Sequence, residues 1–181
     1  MSLLLAPPDA TIGRSRDAAL TTRIATYDDL EVVNRMHQEC SLASRASRYH
    51  CGTPRLSAAA WRHLTSPERG RTWVTEGDLG DVAAVTHLMH ARDDEGRLRP
   101  GLLELAMLVR DDHQSRGLGT FLALRAADWA RDMGATALVA SILSDNRRMD
   151  AILQRLGASG ASSWQRSGPV TEVTVALGGQ R

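Results

Sequence analysis

The residues best suited to chemistry lie close together between Leu102 and Thr120. An apolar run, Leu102-Leu103-Glu104-Leu105-Ala106-Met107-Leu108-Val109, carries a single charge at Glu104. After Asp111-Asp112-His113 comes Gln114-Ser115-Arg116-Gly117-Leu118-Gly119-Thr120, which opens a helical pattern. A glycine-rich turn at a helix start exposes backbone N–H groups with no intrahelical partner, and the helix dipole favours negative charge there. Gly117 and Gly119 carry no Cβ, so phosphate oxygens can approach their backbone closely. Arg116 adds a full positive charge within reach of a phosphate. The stretch reads as a pyrophosphate cradle.

Three phosphate-binding patterns compete for it. A P-loop requires Gly-Lys-Ser/Thr, and the 22 basic residues here are all arginine. A Rossmann fingerprint wants a third glycine where Leu122 stands, and no following strand brings an acidic ribose ligand into register. The third pattern is Gln/Arg-x-x-Gly-x-Gly/Ala, the acetyl-CoA signature of GNAT enzymes, and Gln114 to Gly119 match it fully. One strand downstream, Asn146-Arg147-Arg148-Met149 through Arg155-Leu156-Gly157-Ala158 resembles the second motif of that family, a helix opened by Asn and closed by Gly. Over about residues 21 to 178 the chain therefore resembles the GNAT superfamily of N-acetyltransferases. More narrowly, Cys40-Ser41, Ser44, Ser47-Arg48-Tyr49, Pro54-Arg55-Leu56-Ser57 and Arg116 to Thr120 look like the acetyltransferase domain of bacterial protein-lysine acetyltransferases.

The resemblance implies acetyl-CoA as cosubstrate and a role for each motif residue. Met107, Leu108 and Val109 would offer backbone groups to pantetheine, and an N–H near Leu108 would stabilise the oxyanion. Gln114, Ser115, Arg116, Gly117, Leu118, Gly119 and Thr120 would hold the pyrophosphate. Asn146 would meet the pantetheine arm or cap its own helix, and the two roles are compatible. An ammonium has no lone pair, so the reaction needs a base. Glu104 is the candidate, on one strand face with Ala106 and Leu108, unless it stands at an edge facing solvent. Glu76, His87 and His90 are further candidates on neighbouring strands. One departure from the family is Leu153, where many members carry the tyrosine that protonates the CoA thiolate; Tyr27 and Tyr49 are far off in sequence. Either solvent supplies that proton or the domain binds CoA without efficient turnover. Two readings follow: an N-acetyltransferase acting on a protein lysine or small-molecule amine, and an acyl-CoA-binding sensor. The family builds its acceptor pocket from stretches that here are Leu42 to Ser57 and Gly160 to Val170. Arg45, Arg48 and Arg55 in the first point to an acidic acceptor or to a solvated loop.

The elements that must position these groups follow from periodicity. The 181 residues, 43% of them hydrophobic, suffice for one domain. Residues 1 to 20 read as a flexible leader and 21 to 178 as a single domain. The expected fold class is α/β with a mixed sheet, in the order β-α-α-β-β-β-α-β-α-β-β, and the resemblance adds a splayed central strand pair. Leu42 to Pro54 reads as a polar connection and Asp93 to Gly101 as a turn. A net charge of +1 and no basic cluster interleaved with aromatics exclude a nucleic-acid partner. Cys40 and Cys51 read as reduced thiols with no metal pair. No apolar run approaches the ~18 residues of a membrane span, and the Leu3-Leu4-Leu5-Ala6 patch lacks a preceding basic residue, so a cytoplasmic protein is expected. A homodimer is left open.

Overall fold

The computed structural model describes residues 10–11, 20–77, 80–157 and 161–178. Its strands are β1 (Ala10–Thr11), β2 (Thr21–Ile24), β3 (Gly70–Glu76), β4 (Val82–Arg92), β5 (Leu98–Val109), β6 (Ala137–Leu143), β7 (Ser162–Ser167) and β8 (Val170–Ala176). They form one sheet in the order β1-β2-β3-β4-β5-β6-β8-β7, parallel between β5 and β6 and antiparallel elsewhere. The helices are α1 (Leu30–Glu39), α2 (Leu42–Tyr49), α3 (Ala58–Thr65), α4 (Leu118–Asp132) and α5 (Arg147–Gly157). The mixed α/β class expected from the sequence holds. No helix among the described residues is long and apolar enough to cross a membrane.

The central strands are apolar on both faces because both faces are covered. In β4, Val85 packs with Val33, Met36 and Trp61 from α1 and α3, while Leu88 packs with Ala123 and Trp129 from α4. The inward face of α4 is mostly alanine, at Ala123, Ala126, Ala127 and Ala130, so the helix lies close to the sheet. Trp73 of β3 and Trp129 of α4 stack there, with ring centroids 4.0 Å apart and planes 10° from parallel. Such a pair contributes ~1 kcal/mol beyond its buried area.

The structure departs from the sequence reading in three places. Leu42 to Tyr49, expected as a connection, is α2. Ser41 caps it by accepting from the Ser44 N–H at 3.2 Å, yet none of its residues is fully buried, so it lacks the apolar stripe that marks a core helix. Strand β5 begins at Leu98, inside the expected turn; Pro100 is accommodated where the register against β4 shifts between His90 and Arg92. Of the expected leader, Ala10 and Thr11 pair with Thr22 and Thr21, and Leu20 packs with Ala83, Ala84, Leu118 and Leu122. Residues 1–9 and 12–19 lie outside the described residues.

Two buried histidines tie stability to pH. Burial pulls the His37 pKa from 6.5 down to about 4, helped by Arg48 and Arg45. Burial, then Arg48 and His37, hold His87 well below 6.5 as well. As pH falls below about 6.5 the unfolded chain binds these protons and the folded chain does not. Stability is therefore complete above that pH and drains away toward the folded values, by up to about 1.4 kcal/mol per pH unit for each ring. Urea-unfolding midpoints should fall between pH 7.5 and 5.5, and His37→Gln should make that slope shallower. A midpoint that stays flat across this interval would contradict the assignment.

Candidate active site

Strand β5 pairs with β6 at Leu102–Ala137, Leu103–Leu138 and Glu104–Val139, and no further. Beyond that point β5 continues to Val109 against β4, while β6 continues to Leu143 against β8. The gap is a cleft of about 580 Å³, within the range of small-molecule sites. One wall is β5 from Glu104 to Val109, a stretch of ~17 Å at strand rise. The others are α2, the Gln114–Thr120 turn and α5.

Ladder alternation decides which backbone groups face the cleft. The Arg110 N–H donates to the Ala83 carbonyl at 2.9 Å, so in the antiparallel register Leu108, Ala106 and Glu104 also turn their backbone groups toward β4. The groups of Leu105, Met107 and Val109 turn toward the open side. Leu108 therefore spends its own amide on Val85, and the open-side amides nearest to it are those of Met107 and Val109. The Leu108 side chain is core, packed with Val85 and Met36.

At the Val109 end, the turn into α4 is built for close approach. Gly117 is the N-cap of α4 with φ +88°, a conformation that disfavours any side chain, and nothing lies within 4 Å of where its Cβ would be. A Cβ on Gly119 would meet Ile152 Cδ1 at 3.3 Å, so glycine there lets α4 and α5 converge. Ser115, Gly117, Gly119 and Thr120 line the cleft. The Leu118 side chain is in the core with Leu122, leaving only its backbone to the turn, and Arg116 is exposed beside it. Gln114 acts as a strut: Nε2 donates to the Val109 carbonyl at 2.8 Å and to Ser44 Oγ at 3.0 Å, and Oε1 accepts from Arg148. Arg148 and Arg155 line the cleft, a positive contribution from α5 that the motif reading missed although their spacing puts both on one helix face. Asn146 also lines it; its Oδ1 accepts from the Met149 N–H at 3.1 Å, which is the helix cap, and its amide nitrogen takes no part in that cap.

Just after β5, Asp111 fixes α2 over the cleft, and Arg110 ties the turn to α1 and to Asp81. Asp111 accepts from the Ser41 N–H at 2.8 Å and from the Ser41 and Ser44 hydroxyls, each at 2.9 Å. Partial burial would raise its pKa, and these donors outweigh that and hold it below the usual carboxylate range. Arg110 pairs with Glu39, Asp81 and Asp112 at 3.1, 3.1 and 2.8 Å. The anchoring brings Ser47, Arg48, Tyr49 and His50 to the cleft, so a tyrosine remote in sequence becomes local. The Tyr49 hydroxyl lies 3.0 Å from His37 Nε2, and burial pushes its pKa up to about 12. Leu153 is fully buried with Ala140, Ile142, Val173 and Val175, away from the cleft.

Glu104 stands where β5 parts from β6. It has a strand on each side and is no edge residue, yet its side chain is exposed. It lines both the cleft and an adjoining pocket of about 250 Å³, as Arg48 does. His87 and His90 also line that second pocket, whereas Glu76 is 3.0 Å from Arg23 in an ion pair on β2 and β3. The arrangement offers an anion site at one end, free amides along the middle and a carboxylate at the other end. It suits a long anionic ligand whose reactive group reaches Glu104.

Comparison with known proteins agrees with that geometry. Residues 20–159 match the model of the acetyltransferase (GNAT) domain. Acetyltransferase Pat of Mycolicibacterium smegmatis is 39% identical over 87 residues, which is 48% of this chain and 25% of that protein, so the match spans a quarter of the relative's length. Among solved structures, the GNAT domain of S. lividans PAT superposes with a TM-score of 0.80 at 22% identity, over 94% of this chain and 99% of that one. Spermidine N-acetyltransferase from Vibrio cholerae, in complex with CoA and spermine, gives 0.65 at 14% identity over 87% and 95%. A putative acetyltransferase, yncA, from Salmonella typhimurium with acetyl-CoA gives 0.64 at 21% over 90% and 96%. The structural likenesses establish the fold, the family model covers most of the chain, and the protein belongs to the GNAT acetyltransferase family.

Proposed function

We propose that residues 21–178 form one catalytic domain that transfers an acetyl group from acetyl-CoA to a primary amine, of a protein lysine or of a small molecule. The observation that carries this reading is the cleft between β5 and β6, with the Gln114–Thr120 turn at one end and Glu104 at the other. The pyrophosphate sits on the backbone N–H groups from Ser115 to Thr120, with Arg148 and Arg155 adding charge. Pantetheine runs along the open side of β5, meeting Met107 and Val109 backbone groups and the Asn146 amide. The complexes of the Vibrio cholerae and Salmonella typhimurium proteins with CoA and acetyl-CoA support the choice of cosubstrate.

The amine enters as an ammonium and loses a proton to Glu104, directly or through water. Its lone pair attacks the thioester carbon, and the oxyanion is met by an open-side amide of β5. The C–S bond then breaks, the nitrogen sheds its second proton, and the CoA thiolate leaves. A thiol titrates near ~8.5, so the thiolate takes a proton from water without a side-chain acid. That chemistry fits Leu153 being part of the core.

Three outcomes follow. Acetyl-CoA should raise the melting temperature, because it binds the folded state alone. Gly117→Glu should remove that shift by setting a carboxylate where phosphate binds; an undiminished shift would place the cradle elsewhere. Arg148→Ala should weaken CoA binding severalfold and reduce its salt dependence, both read by calorimetry at two ionic strengths. Glu104→Gln should lower the rate of free-CoA release by ~10²-fold with acetyl-CoA affinity kept. Near-parental turnover in Glu104→Gln would move the base to another group. Tight acetyl-CoA binding with no turnover of any amine would leave a CoA-binding sensor.

A further inference from the structure

The second pocket holds more positive charge than the reaction requires. It opens beside Glu104, and Arg48, Arg69 and Arg92 line it. None of these arginines takes part in a salt bridge among the described residues, whereas Arg23, Arg55, Arg97, Arg99, Arg110 and Arg131 all do. Of the α2 region's arginines, Arg48 is the one that lines this pocket, Arg45 donating to the His37 and Cys40 carbonyls and Arg55 pairing with Glu31; Arg92 donates one N–H to the Gly96 carbonyl at 2.6 Å. The Arg48 Nε is buried and has no hydrogen-bond partner. Its guanidinium lies over the Tyr49 ring, 4.6 Å from the centroid. The field of the cluster is felt by its neighbours: Arg69 and Arg92 add to burial in lowering the His63 pKa, and Arg48 does so for His87.

His87 supplies a second, independent sign of a ligand. It lines the same pocket, is 1% exposed, and its Nε2 has no partner. The Thr72 hydroxyl donates to the Leu64 carbonyl, so at 2.9 Å it accepts from His87 Nδ1–H. In the neutral ring that leaves Nε2 as a bare acceptor. A buried acceptor left unpaired is destabilising, and a donor entering the pocket would satisfy it. His87 is opposite Ala106 in the β4–β5 register, and Glu104 is its diagonal neighbour on the same face. The pocket therefore has an acceptor side, Glu104 and His87 Nε2, and a cationic side, Arg48, Arg69 and Arg92.

We infer that the acceptor is a small amine bearing an anionic group, its ammonium held between Glu104 and His87 Nε2 and its carboxylate or phosphonate met by Arg48, Arg69 and Arg92. This rests on acetyl transfer at Glu104 and names the substrate class for that step. A volume of about 250 Å³ accommodates a molecule of amino-acid size. The planar guanidinium fork suits a carboxylate or phosphonate, which it can bind through two parallel hydrogen bonds.

The test uses the full chain and amines matched except in charge. Free-CoA release is measured with glycine, β-alanine and 4-aminobutyrate, each against its amide, and with 2-aminoethylphosphonate against putrescine. At least one acid should exceed its amide by tenfold or more in kcat/KM, and the phosphonate should exceed the diamine. Arg69 and Arg92 are exposed, so their variants should fold. Arg69→Gln and Arg92→Gln should each cut the acid-to-amide ratio severalfold, chiefly through the KM of the acid. Amides or putrescine that match the acids, or a ratio unmoved in both variants, would overturn the inference. If no amine turns over, acetyl transfer itself fails, and the pocket is then read by calorimetry of CoA-saturated protein with 4-aminobutyrate and its amide. Binding of the acid that weakens in Arg69→Gln supports the anion site, and equal binding of acid and amide rejects it.

Discussion

The site depends on where one pair of parallel strands stops pairing. Strands β5 and β6 are joined only through Glu104 and Val139. Past that point the backbone of β5 keeps its ladder with β4 but presents open groups on its other side. Unpaired amides in the middle of a sheet are costly unless something replaces the missing strand. Part of that role falls to Gln114, which reaches back to the Val109 carbonyl. The remaining groups face a cleft, and a ligand with an extended polar arm completes the sheet there. Cradle and carboxylate are separated by the length of strand left open, so the splay sets the length of ligand that fits.

The two sides of the cleft are held by different physics. The wall that carries the Gln114–Thr120 turn is built on α4 and α5, whose inner faces join the main apolar cores. The opposite wall is built on α2, which buries no residue fully and is held by Asp111 and the Gln114 strut. Polar tethers at a solvated surface contribute less than core burial, so α2 belongs to the low-stability end of the molecule.

Arginine carries all of the side-chain positive charge apart from histidine. Part of it is structural: Arg23 joins Asp29 and Glu76, and Arg110 gathers three carboxylates behind α2. Another part faces the cleft from α5, and a third lines the pocket beside Glu104. A guanidinium stays ionised across the working pH range, so this charge does not switch with pH. Burial first, and the nearby arginine charge second, keep His37 and His87 neutral, and that couples this region to the acid stability of the fold.

The place of the Gln114–Thr120 turn, between β5 and α4, was legible in the sequence because it is local. Gln114 to Thr120 needs a strand before it, a helix after it and two residues without Cβ, and each of those is a short-range property. Glu104 stood out for a similar reason, as a lone charge in an apolar strand, and the structure places it at the cleft. The apolar periods of β4, β5 and α4 likewise fixed the fold class. What the sequence could not decide depends on groups far apart along the chain. Helix α2 has no buried stripe to announce it, and Asp111 and Gln114, some 70 positions away, show why it lies where it does. The same contacts bring Tyr49 and Arg48 to Glu104. Ladder alternation, not motif position, turned the Leu108 amide away from the cleft, because that choice is made by the partner strand. And the convergence of Arg48, Arg69, Arg92 and His87 on one pocket is a property of packed surfaces, which no spacing along a single chain encodes.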